Sequence, residues 1–116
     1  MPSKFSIDGR LKDGLDRCGM PVSEFAKVAA LENIRYASKT VLNEAFRDVK
    51  PLQPDTALSL WQLFQEIEGM CHGFRPYILN LVNGEQVHQW LVARRNSELV
   101  AYVLDLVKPS GEEQQP

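Results

Sequence analysis

Apolar positions along the chain recur at helical rather than alternating spacing through its first two thirds, and the clearest such unit spans residues 21–55. Pro21, whose fixed φ and missing N–H suit a first helical turn, opens a helix over about Val22 to Ala30, with Phe25, Val28 and Ala29 on its buried face. After Glu32-Asn33 a second pattern begins at Ile34: Ile34, Ala37, Val41 and Ala45 form an apolar stripe, with Leu42 and Phe46 beside it. On the opposite side Arg35, Lys39, Asn43 and Arg47 follow one another at steps of four, which drift by only about 40° per step on a helix and so predict one polar, basic face. A packed back and a basic, amide-bearing front suit a helix that lies in a DNA major groove.

Around this pair, Ile7, Leu11, Leu15 and Cys18 predict an earlier helix that ends at Gly19, the residue type that stops helices in the left-handed conformation. Residues 48–54 hold two prolines and read as a loop, after which Pro54-Asp55 opens a helix with Ala57, Leu60, Trp61, Phe64, Ile67 and Cys71 as its buried stripe. Gly69 to Pro76 breaks the pattern. Beyond the break, residues 77–82 read as a short strand, about Gly84 to Arg95 as a helix with Val87, Trp90 and Leu91 inward, and Leu99 to Val107 as a second strand. Asn83-Gly84 is either the cap of that helix or a hairpin turn, and the three-and-four spacing of Val87, Trp90, Leu91 and Arg94 favours the cap.

The expected architecture is therefore mainly α: a helix-turn-helix bundle of about four helices over residues 1–72, a small C-terminal β-α-β extension over 73–108, and a disordered polar tail over 109–116. Two strands bracketing one helix make a marginal sheet on their own. They are completed either by pairing within the chain against the Trp61 helix or by a second copy in a homodimer.

Charge sharpens this picture only slightly. The formal net charge is −2, but residues 1–50 carry nine Lys/Arg against seven Asp/Glu and residues 51–116 four against eight, which places any anion-binding surface in the first half. Cys18 and Cys71 are too few for a disulfide framework or a four-ligand zinc site, and read as buried thiols. Cys71-His72 lacks a second ligand pair, no carboxylate pair, triad or phosphate loop is seen, and neither enzyme chemistry nor a cofactor is expected. No apolar run of membrane-spanning length and no leader pattern is found, so a cytoplasmic protein without membrane attachment is expected.

Residues 15–64 resemble the lambda-repressor-like (Xre-type) helix-turn-helix family. The likeness rests on Phe25-Ala26 within VSEFAKVAAL, Ala30-Leu31 at the turn, Leu42-Asn43-Glu44 in the third helix, and Lys50-Pro51-Leu52-Gln53-Pro54-Asp55 leading into the fourth. The stretch from Leu31 to Asn43 is longer than the family pattern, and Glu44-Ala45-Phe46 extends the third helix where the family often turns. The resemblance implies a sequence-specific DNA-binding regulator, a small bacterial or phage repressor, with double-stranded DNA as partner. Arg and Asn pair with guanine and adenine edges, and Lys and hydroxyls hold phosphates. The expected DNA-binding residues are thus Arg35, Tyr36, Ser38, Lys39 and Asn43, with Arg47 and Lys50 over the backbone. The bland reading of Arg35, Lys39 and Arg47 is a solvated face paired with Glu32 and Glu44. The alternative function is a protein-interaction module or inhibitor that keeps the scaffold without binding DNA, as the net negative charge and acidic C-terminal half permit.

Overall fold

The computed structural model describes residues 6–70 and 83–107. Five helices follow one another: α1 (Ile7–Cys18), α2 (Val22–Leu31), α3 (Lys39–Phe46), α4 (Pro54–Met70) and α5 (Gly84–Val107), and no strand occurs among the described residues. α1 packs on α4 and α3, α2 on α3 and α5, and α5 also on α4. The core is the set of inward stripes: Leu11 and Leu15 of α1, Phe25, Val28 and Ala29 of α2, Leu42, Ala45 and Phe46 of α3, Ala57, Leu60, Leu63, Phe64 and Ile67 of α4, and Val87 and Leu91 of α5. Phe25 and Phe64 meet edge to face at its centre, ring centroids 6.5 Å apart.

The first three helices share one stop signal. Their ends carry paired hydrogen bonds back into the last turn, with a left-handed residue at the cap or directly after it. In α1 that residue is Gly19 (φ 70°), with Met20 N–H donating to Leu15 O. In α2 it is Asn33 (φ 59°), with Ile34 N–H donating to Ala29 O, and in α3 it is Asp48 (φ 59°), with Val49 N–H donating to Glu44 O. Asn and Asp tolerate this conformation better than other side chains, so helices end there without glycine.

Three expectations change. The run Leu99 to Val107 is not a strand: α5 continues without a break through Asn96-Ser97 to Val107, so the β-α-β extension is replaced by one 24-residue helix among the described residues. Its aliphatic and β-branched composition suits a strand, but a helix already nucleated and packed through Val87 and Leu91 extends at the cost of one residue's ordering per hydrogen bond. Trp61 and Trp90 are half-buried at the core's edge, and Leu63 takes a fully inward place on α4. The third helix starts at Lys39, not near Ile34. The expected strand over 77–82, Cys71 and the tail over 109–116 lie outside the described residues.

Two glycines set helix spacing. A Cβ on Gly14 of α1 would lie 2.6 Å from the Phe64 ring, and one on Gly84 would lie 2.4 Å from the backbone oxygen of Glu24. Gly84 thereby lets the start of α5 press against α2, where its N–H donates to Glu24 Oε1 at 2.9 Å.

Candidate nucleic-acid interface

Between α2 and α3 lies a seven-residue turn, residues 32–38, and it absorbs the extra length of this region. Ile34 and Ala37 are both drawn toward the core, which is why their three-residue spacing mimics a helical stripe. The backbone between them instead passes through a second left-handed residue, Tyr36 (φ 59°), whose side chain stands 63% exposed. The turn is tied down by the buried Thr56 of α4, whose hydroxyl donates to Arg35 O at 3.0 Å. On the far side of α3 the exit loop is tied to α1, with Leu52 N–H donating to Asp8 Oδ2 at 3.1 Å.

The seven expected DNA-binding residues divide accordingly. Arg35 and Tyr36 belong to the turn, so the four-step face that began at Arg35 begins instead at Lys39. Ser38 is the N-cap of α3, its Oγ accepting from Val41 N–H at 3.2 Å. Lys39 is the first helical residue and is exposed at the positive end of the helix dipole. Asn43 is half-buried and lines a groove toward α1 with Lys12, Asp16 and Arg47. Arg47 caps the end of α3, its Nε 3.4 Å from Asn43 O. Lys50 lies on the other side of α3, in a groove with Tyr36, Val41 and Glu44. Arg35 lines a third groove, with Tyr36, Gln53, Asp55 and Thr56. Lys39, Asn43 and Arg47 thus keep their common helical face, while Arg35, Tyr36 and Lys50 surround it from the turn and loop.

Thr40, exposed at the second position of α3, is the residue that sequence reasoning missed. Its signal was local: with Ser38 as cap, Lys39 and Thr40 form the first exposed turn, and Thr40 then shares a line along the helix with the half-buried Glu44 and the exposed Arg47. Glu44 places one acid on that line.

The ion pairs separate this region from the rest of the surface. Lys12 pairs with Asp16, Arg17 with Asp13 and Glu68, Lys27 with Glu24, Arg94 with Glu98, and Arg95 with both Glu32 and Glu66. Arg35, Lys39, Arg47 and Lys50 form no ion pair among the described residues, a condition they share only with Arg10 of α1. Glu32 in particular is held by α5. Arg95 Nη1 donates to it at 3.1 Å, His88 Nε2 lies 2.9 Å from it, and Arg95 Nε donates to Glu66 at 2.6 Å. Those bonds, first of all from Arg95, hold the Glu32 carboxyl below the usual carboxylate range against the opposing effect of burial. Cys18 is a half-buried free thiol whose pKa burial pushes up, away from nucleophile chemistry. No group of three or more potential metal ligands occurs among the described residues, and no helix there is long and apolar enough to cross a membrane. In comparisons with protein families, curated proteins and solved structures, no family model, protein or structure matches this chain.

Proposed function

We propose that the chain is a sequence-specific DNA-binding regulator of transcription, a small bacterial or phage repressor, that presents α3 to the major groove. The observation that carries this reading is a cluster of cations with no ion pair among the described residues, Arg35, Lys39, Arg47 and Lys50, bracketing one short, solvent-facing helix while the cations of α2 and α5 are neutralised by neighbouring acids. An unpaired Lys or Arg gives up little on meeting a phosphate, whereas a paired one must first break its own contact. In this reading Lys39, Thr40 and Asn43 face base edges, and Arg35, Arg47, Lys50 and the Ser38 end of α3 hold the backbone. Tyr36, held outward by its left-handed backbone, lies against the sugar-phosphate chain.

The test is retention on random duplex DNA as salt is raised. Three cationic phosphate contacts, Arg35, Arg47 and Lys50, predict a log–log slope of roughly −3. No retention at low salt would overturn the reading and leave the protein-interaction alternative, for which the exposed apolar end of α5 is the supporting observation. Selection from a random DNA pool then identifies the sequence bound.

A further inference from the structure

The first half of α5 is a core helix and the second half is not. Val87 and Leu91 are fully buried, while every residue from Asn96 to Leu106 is exposed. That exposed half is nonetheless strongly apolar: Leu99 is 60% exposed, Val103 46% and Leu106 64%, with Val100, Tyr102 and Leu104 beside them. Val92, Leu99, Val103 and Leu106 follow at steps of seven, four and three, which keeps them within about 60° on the helix circumference. At its upper end this seam reaches the groove between α2 and α5. Val92 stands three and four residues after Gln89 and His88, which line that groove with Leu31, itself 45% exposed.

We propose that this seam is covered by the same seam of a second copy of the chain, the two α5 helices packing about a two-fold axis. The spacing is that of helices that pack along a common line, with apolar knobs recurring at sevens. The side chains between Leu99 and Leu106, extended by Val92 and Leu31, offer on the order of 500–600 Å² of apolar surface. Doubled in a symmetric pair, that is roughly 1,000–1,200 Å², where stable specific interfaces begin. Charge excludes the other common occupants of an amphipathic helix. Between Val92 and Val107 Glu98 and Asp105 stand against Arg94 and Arg95, and both arginines are held by acids, Arg94 by Glu98 and Arg95 by Glu32 and Glu66. The segment therefore lacks the excess of free cations that an anionic membrane surface or a nucleic acid attracts. A patch that must meet an identical patch does so across a two-fold, so each Leu99 side of one helix faces the same side of the other. This pairing does not rest on the DNA reading, although it would set two α3 helices in two-fold relation.

Sedimentation equilibrium of the full chain at micromolar concentration, without DNA, tests it. The expected mass is about twice the 13.2 kDa of one chain. Leu99→Glu combined with Val103→Glu replaces only exposed side chains, so its circular dichroism should be unchanged and its mass should fall to that of one chain. Leu99→Gln with Val103→Gln, which keeps strong helix formers at both positions, gives the same readout if the acidic pair weakens the helix itself. A native chain that sediments as a single copy overturns the proposal. A folded variant that keeps the doubled mass overturns it equally.

Discussion

The guanidinium of Arg95 grips the carboxylate of Glu32, the residue that caps α2 and begins the turn toward α3. The same guanidinium holds Glu66 of α4, so one side chain of α5 joins the end of α2 to the long helix behind it. Both carboxylates and the arginine are partly exposed, which limits their worth. Removing the cation still leaves two acids close together with their hydrogen-bond donors gone. Arg95→Met should therefore destabilise the fold by about 1–3 kcal/mol in urea unfolding, and a loss below about 0.5 kcal/mol would show that the cluster is only a surface contact.

Acid should loosen the same junction. Arg95 holds the Glu32 carboxyl low, and the Gly84 N–H does the same for Glu24. A carboxyl whose folded pKa is depressed contributes stability that is fully present above its unfolded value and is lost as pH falls through the folded one. Thermal stability should thus decline between about pH 5 and pH 3. Glu24→Gln with Glu32→Gln should be less stable at neutral pH and show a flatter decline, measured by melting temperature across that range.

Three glycines distinguish close helix contact from mere helix weakening. Gly84→Ala drives a Cβ into the Glu24 backbone, which has no rotamer to yield, and should cost about 1–3 kcal/mol. Gly14→Ala meets the Phe64 ring at the centre of the core and should cost a similar amount. In Gly69→Ala the nearest atom is the end of Arg94 at 3.7 Å, so the gain in helix propensity, about 0.5–1 kcal/mol, should dominate and stabilise the chain. Chemical denaturation of the three variants decides the ordering.

Among the aromatics, Phe64→Ala should cost about 3–5 kcal/mol. Trp61, half-buried and stacked on Phe64 with centroids 5.9 Å apart, should cost less when truncated to Ala. Equal losses would mean that Trp61 is as central as its position on the α4 stripe suggests from sequence.

For the proposed DNA contact, base readers and backbone holders should respond differently. Lys50→Ala and Arg35→Ala should weaken binding to all sequences alike, each lowering the salt slope by about one. Asn43→Ala and Thr40→Ala should change preference at particular base pairs, by about 1–3 kcal/mol where a bidentate contact is lost. Binding across single-base variants of a selected site measures this. If Lys39, Thr40 and Asn43 can all be replaced without effect on affinity or preference, α3 is not a recognition helix.

What was legible in the sequence was whatever is encoded locally. Gly19 marks the end of α1 and Pro54-Asp55 the start of α4, because each acts through its own backbone preference. The start of α3 was obscured by two residues whose positions come from tertiary packing: Ile34 and Ala37 turn inward from a loop, at a spacing that a helix also produces. The local signal at Ser38, a cap followed by an exposed pair, was outweighed by that periodicity. The C-terminal half of α5 misled for a different reason. Leu99-Val100-Ala101-Tyr102-Val103 has the composition of a strand, and only continuity with the packed turn at Val87 and Leu91 makes it helical. The basic residues around α3 were identifiable one by one, but their lack of ion pairs among the described residues was not: for Arg35, the neighbouring Glu32 is taken by Arg95, 63 positions away.

The partition of cations also governs how the molecule is sensed from afar. At low ionic strength, where the Debye length reaches about 30 Å, a distant polyanion meets the net charge of −2 and is weakly repelled, whereas at physiological ionic strength charges beyond about 8 Å are largely screened. Inside that distance it meets Arg35, Lys39, Arg47 and Lys50 first if α3 leads, and arginines already held by acids, with Glu85 and Asp105, if α5 leads. Attraction therefore depends on orientation, and added salt acts in opposite directions on the two regimes: it removes the long-range repulsion while it weakens the grip at contact.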